Sequence, residues 1–225
     1  MLKNLFKLLF PTLCDGCNSL LIKNEKILCT SCVHNLPFTN HHLTDNNETK
    51  NKFYGLIDIE FACSMLVFSH DGIVQKMIHQ LKYKNRQEIG NYLGKLYIPE
   101  IKNKIITNKI DYIIPVPLHP EKMKKRGYNQ VTTFCETLSK ELEIPYNSEI
   151  LFRNKNTSTQ TKKNKEERQA INLKSFEAKT DIEFQNKHFL LVDDVITTGS
   201  TIESCAKALL KIPNTKVSII AIAYT

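Results

Sequence analysis

The chain has 225 residues, 31 of them Lys or Arg and 23 Asp or Glu, for a formal net charge of +8. A 41% hydrophobic share excludes a wholly disordered chain, and seven Gly, eight Pro and seven Cys exclude collagen-like and disulfide-scaffold classes. No apolar run reaches the ~18 residues of a membrane span, and the basic excess points to an anionic partner: nucleic acid, a phosphorylated substrate or a membrane surface.

At the start, Leu2, Leu5, Phe6 and Leu9 share one helical face. That face packs on its own protein or lies on a membrane surface. Lys7 interrupts the apolar stretch and no small-residue cleavage site follows, so no export signal is expected. A cytoplasmic location with reduced cysteines follows.

Two CxxC pairs come next, Cys14-Asp15-Gly16-Cys17 and Cys29-Thr30-Ser31-Cys32, with eleven residues between them. Each pair aims two sulfurs at one metal, and two pairs complete a tetrahedral shell that suits Zn²⁺. Four ligands leave no open position, so the site is read as structural. Its thiolates would lower the effective charge to about +6. Whether it also touches nucleic acid is open. Cys63, Cys135 and Cys205 lie on apolar faces and read as core.

Residues 38–52 are polar and aperiodic and read as a linker. Phe61 to Ser69 reads as a strand, Asp71-Gly72 as a turn, and Ile73, Met77, Ile78 and Leu81 as a helical face. Ile110 to Pro115 is a second strand. A helix follows from Asn129, with Val131, Phe134, Cys135, Leu138 and Leu142 inward. Residues 153–169 hold almost no apolar side chain, as in a functional lid. A strand over 188–195, a helix over 200–211 and a strand over 216–224 complete an α/β pattern, which implies a parallel sheet flanked by helices.

The most informative stretch is Leu190 to Thr201, LLVDDVITTGST. An apolar strand ends in two carboxylates, and a Thr/Gly/Ser loop then opens a helix. Ligands of open parallel sheets bind beyond the carboxyl ends of the strands, and a helix N-terminus with free N–H groups is an anion site. Asp193 and Asp194 would repel a phosphate, so they should face sugar hydroxyls or Mg²⁺. Acids beside a phosphate cradle suggest a phosphorylated sugar.

That stretch resembles the PRPP-binding signature of type I phosphoribosyltransferases. The wider chain is similar to the ComF family of competence-associated phosphoribosyltransferase-like proteins. The paired CxxC motifs carry the likeness, with Leu81-Lys82-Tyr83, Ile114-Pro115-Val116-Pro117-Leu118-His119 and Arg126-Gly127-Tyr128-Asn129-Gln130. Arg153, Thr159-Gln160, Arg168, Asn172 and Phe176 continue it. The resemblance implies a type I phosphoribosyltransferase-like sheet over 53–225, a linker over 38–52 and a small four-cysteine zinc finger within 1–37.

It also implies roles. Asp193 and Asp194 hold the ribose hydroxyls of PRPP. Thr197, Thr198, Gly199, Ser200 and Thr201, after Val195, cradle the 5′-phosphate. Val116, Pro117 and Leu118 form the pyrophosphate loop, and Mg²⁺ bridges pyrophosphate and ribose oxygens. Arg168, in the segment matching the family's mobile loop, is a catalytic candidate with the two acids. Thr197 stands where many purine enzymes carry Asp, nearer the orotate type. Residues 53–72 and the zinc segment are left as candidates to cover an acceptor.

The run Lys122, Lys124, Lys125 and Arg126 is a solvated face or part of the pyrophosphate site. With Lys162, Lys163 and Lys165 it is also the candidate surface for single-stranded DNA. His119 is a ligand, an acid/base group or a hydrogen-bonded loop histidine. The expected function is PRPP- and Mg²⁺-dependent pentosyl transfer to an unknown acceptor during natural competence and DNA uptake. The alternative is a non-catalytic, PRPP-responsive protein that binds single-stranded DNA. Competence helicase or other uptake proteins are the implied protein partners.

Overall fold

The computed structural model describes residues 11–153 and 175–225. In chain order its strands are β1 (Ala62–Val67), β2 (Tyr112–Pro115), β3 (Leu151–Arg153), β4 (Phe176–Ala178), β5 (His188–Ile196) and β6 (Lys216–Tyr224). Its helices are α1 (Thr30–His34), α2 (Glu48–Asn51), α3 (Ile73–Tyr83), α4 (Glu88–Thr107), α5 (Pro120–Arg126), α6 (Thr132–Leu142) and α7 (Ser200–Leu209). Four strands form one parallel sheet in the order β1-β6-β5-β2, while β3 and β4 pair antiparallel in a separate ribbon.

Both faces of the sheet are covered, which is why β5 and β6 read as continuous apolar runs. The pleat sends alternate side chains to opposite sides. Cys63, Met65, Ile113, Leu190, Val192 and Ile220 join a core with α3, α4 and α6. Ala62, Ile114, Phe189, Leu191, Ile219 and Ala221 join a second core with α7 and Phe53. Cys63, Cys135 and Cys205 are buried in these cores, as their apolar surroundings predict.

The longest helix, α4, corresponds to no element of the sequence reading. Pro99 sits inside it, where proline removes an amide donor. Pro99 is exposed, so water can take the freed carbonyl. Ile89, Leu93, Tyr97, Ile101 and Ile105, each four residues on, form its buried side. Gly90 and Gly94 let α4 approach α6 closely: a Cβ at Gly90 would stand 2.2 Å from Thr133 Oγ1.

The expected linker over 38–52 is not a free tether. Phe38 bridges Leu66, Asn47 Nδ2 donates to Ala62 O at 3.0 Å, and Thr49 Oγ1 donates to Ser64 Oγ at 2.8 Å. His41, Asn47 and Thr49 are buried. Asn47 and Thr49 are satisfied against β1, and His41 against Thr49 and Glu48, so polarity and burial coexist.

The four-cysteine segment is likewise no separate unit. Cys14, Ile27, Leu28, Cys29, Cys32 and Leu36 belong to the same core as α3 and α4. The expected boundaries at 37/38 and 52/53 therefore do not separate independent cores.

Candidate functional site

Parallel pairing of β2 with β5 brings their carboxyl ends together, and Val116 N–H extends the ladder by donating to Val192 O at 2.8 Å. The loops after Pro115 and after Ile196 therefore leave the same sheet edge. Asn129 is buried, and its Nδ2 donates to Val116 O at 2.9 Å, which pins the base of the first loop. Val116 is buried, while Pro117 and Leu118 are half-buried. His119 caps α5, its Nδ1 accepting from Glu121 N–H at 3.3 Å, so it is a hydrogen-bonded loop histidine here.

Asp193 and Asp194 stand near the end of β5. Asp193 Oδ1 accepts from Asp194 N–H at 2.8 Å, and Asp194 Oδ1 accepts from Val195 N–H at 2.9 Å. Lys82 Nζ, from the last turn of α3, lies 2.5 Å from Asp194 Oδ2. Asp194 is buried. Burial and the neighbouring Asp194 charge push the Asp193 carboxyl well above the usual carboxylate range.

Beyond Ile196, Thr197 and Thr198 are exposed and Gly199 begins α7 with φ +80°. No side chain caps this helix, so its first-turn N–H groups face outward as anion donors. Ser200 N–H reaches Thr198 Oγ1 only at 3.5 Å. Asp193, Val195 and the residues Thr197 to Thr201 line a shallow hollow here.

Residues before β1 brace this loop. Lys52 Nζ donates to Thr197 O and Thr225 O, both at 2.7 Å. Phe53 lies beneath Gly199, where an added Cβ would stand 2.9 Å from its Cε1. Gly199→Ala is therefore strained by its backbone and by contact, costing about 1–2 kcal/mol from conformation alone. It is expected to lower the thermal unfolding midpoint by roughly 2–8 °C. An unchanged midpoint in calorimetry would contradict this packing.

Beside Lys82 lies a cavity of about 320 Å³, lined by Lys82, Tyr83, Lys122, Lys125, Arg126 and Tyr128. The Arg126 guanidinium sits 5.4 Å from the Tyr83 ring centroid, and its Nη1 donates to Gln130 Oε1. Tyr128 Oη donates to Leu81 O at 2.6 Å, which ties this loop to the end of α3. Lys82, Asn129 and Lys52 are contributors to which the sequence reading gave no role, and Phe53, in the stretch expected to cover an acceptor, instead supports the loop. Only the quoted Leu81-Lys82-Tyr83 and Asn129 motifs pointed towards two of them.

The four paired-motif cysteines come together, their Sγ atoms all within 4.8 Å of one another. Cys17 Sγ and Cys29 Sγ are 3.7 Å apart. A tetrahedral zinc with Zn–S of about 2.3 Å requires about 3.8 Å between sulfurs, so the donor set fits the metal. Backbone N–H groups of Gly16 and Cys29 point at Cys14 Sγ, at 3.4 and 3.2 Å. The Ser19 hydroxyl lowers the Cys17 thiol to about 6. Asp15, between two ligands, pairs with Arg86 Nη2 at 2.8 Å, and Arg86 also holds Glu88.

Arg168, Lys162, Lys163 and Lys165 lie outside the described residues, as do Thr159, Gln160, Asn172 and the N-terminal apolar face. Lys122, Lys124, Lys125 and Arg126 lie on α5, which buries none of its residues.

A family model for the phosphoribosyl transferase domain matches residues 132–225. DNA utilization protein YhgH of Escherichia coli (strain K12) is 31% identical over 204 residues, covering 88% of this chain and 84% of that protein. Competence protein F of Haemophilus influenzae is 34% identical, covering 60% of this chain and 61% of its own. Competence protein ComFC of Bacillus subtilis is 28% identical, covering 64% and 57%. The chain belongs to the ComF family. Among solved structures, adenine phosphoribosyltransferase from Saccharomyces cerevisiae aligns with 64% of this chain and 72% of its own at 14% identity, with a TM-score of 0.43. This ComF-family chain has, among its described residues, no helix long and apolar enough to cross a membrane.

Proposed function

We propose that this chain binds Mg–PRPP where β5 meets α7 and transfers its phosphoribosyl group to an acceptor during DNA handling in natural competence. One observation carries the reading: an acid pair and an uncapped helix N-terminus behind a left-handed glycine share the carboxyl edge of a parallel sheet. The hollow at Thr197 to Thr201 suits the 5′-phosphate, and the acids suit the ribose hydroxyls. Mg²⁺ would arrive with the diphosphate and neutralise its charge. Transfer breaks the bond from ribose C1 to the diphosphate and forms one from C1 to the acceptor. The protein's part is to position both reactants and stabilise the departing diphosphate. The names of the relatives support the setting in competence and DNA use.

A second reading, a non-catalytic PRPP-responsive protein that binds single-stranded DNA, is favoured by the basic helix α5 lining the cavity beside Lys82. One experiment tests both. Calorimetry with Mg–PRPP is followed by assay of pyrophosphate release over a panel of bases and a single-stranded oligonucleotide. Saturable PRPP binding with release stimulated by one acceptor class is expected. No binding at millimolar PRPP would sink both readings. Binding without release, with an oligonucleotide that PRPP displaces, would select the second. The slope of its log affinity against log salt should then be about −0.7 per contacted phosphate.

A further inference from the structure

Lys82 borders two different environments. Its Nζ lies 2.5 Å from Asp194 Oδ2, and its side chain also lines the cavity walled by Lys122, Lys125 and Arg126. The backbone that carries it is fixed, because Tyr128 Oη donates to Leu81 O and Lys84 N–H donates to Gln80 O. The side chain is a flexible four-carbon stem ending in a compact charge, so it can change partner without moving α3.

We propose that Lys82 is a positioning residue that alternates between two anions: the Asp194 carboxylate in the ligand-free site and the diphosphate of bound PRPP. This rests on the Mg–PRPP reading above. Asp194 Oδ1 is held by Val195 N–H, and Oδ2 is buried and needs a partner. A buried carboxylate without a cation is costly, and Lys82 supplies that cation. A diphosphate entering the cavity meets the other three cations and draws the fourth toward it. Asp194 Oδ2 is then released to accept from a ribose hydroxyl. The ligand thereby replaces at the acid the partner that it takes from it, and neither charge is left unpaired.

The test compares Mg–PRPP with ribose 5-phosphate, which carries the ribose and 5′-phosphate but no diphosphate. Calorimetry is run on the wild type, Lys82→Gln and Lys82→Arg, with Lys82→Met as a second neutral variant in case the Gln variant does not fold. Loss of the charge is expected to weaken Mg–PRPP by about tenfold or more, as for a lost hydrogen bond between charged groups. Ribose 5-phosphate should stay within about threefold of the wild type, and Lys82→Arg should recover most of the PRPP affinity. A merely structural pair would weaken both ligands alike and overturn the proposal, as would unchanged PRPP affinity in the neutral variants. Wild-type protein that binds neither ligand would instead overturn the underlying PRPP reading.

Discussion

Asp193→Asn is expected to raise the unfolding temperature of the ligand-free protein at pH 7 while removing most of its affinity for Mg–PRPP. The half-buried Asp193 carboxyl is pushed well above its unfolded value of about 3.9 by desolvation and the neighbouring Asp194 charge. Between those two values the folded state holds more protons than the unfolded one, so stability falls as pH rises through that window. Above it the penalty is fully present. Asn removes the ionisation, and its side-chain oxygen can still accept from Asp194 N–H, the bond that Asp193 Oδ1 makes. Each recovered kcal/mol should appear as about 2–4 °C in a chain of this size. Binding should lose one charge-assisted hydrogen bond to ribose, about 1.5–3 kcal/mol. Differential scanning fluorimetry from pH 4 to 8 should show the wild type losing stability with rising pH relative to the variant. A variant that melts lower at pH 7, or binds PRPP as well as the wild type, would refute this account.

Replacing Cys32 with Ser, or adding a chelator that would take zinc from the four cysteines, should destabilise far more than residues 11–36. Cys32 is buried, and a Cβ on Gly16 would contact both Cys32 Sγ and Ile73 Cγ2 at 2.9 Å, so the knuckle rests on the first turn of α3. Asp15 grips Arg86, just past the other end of the same helix. Structural zinc contributes directly to folding free energy. The midpoint of thermal unfolding should drop by roughly 10 °C, corresponding to ~3–5 kcal/mol. Hydrogen exchange should show α3 and α4 losing protection together with residues 11–36. If only residues 11–36 lose protection and the midpoint holds, the shared core has no energetic weight.

What the sequence revealed depended on how each segment is stabilised. β6 could be read at its observed bounds because Val217 to Ala223 are buried on both faces and every one of them is apolar or small. The acids and the glycine loop were legible because sheet-edge chemistry is concentrated in one continuous stretch. α4 was hidden by Pro99 and by a stripe of period four rather than a mixed three-and-four pattern. The packing of 38–52 was not legible because Asn47, Thr49 and His41 are polar yet buried: Asn47 and Thr49 hydrogen-bond to β1 residues Ala62 and Ser64, and His41 pairs with Thr49 and Glu48. Lys82 could not be placed by any spacing rule, since its partner Asp194 lies more than a hundred residues away and meets it only through α3 packing.

α5 gathers four cations on one turn-and-a-half of helix, yet buries no side chain to anchor them. Burial is what holds a short helix together in water, so this one is held mainly by its bounding turns at His119 and Gly127. Any anion that draws these charges together must also bear the entropy of ordering them. Affinity measured at this surface therefore understates the strength of each contact. Stiffening the helix, by substitutions that touch no ligand, would tighten binding as surely as adding a charge.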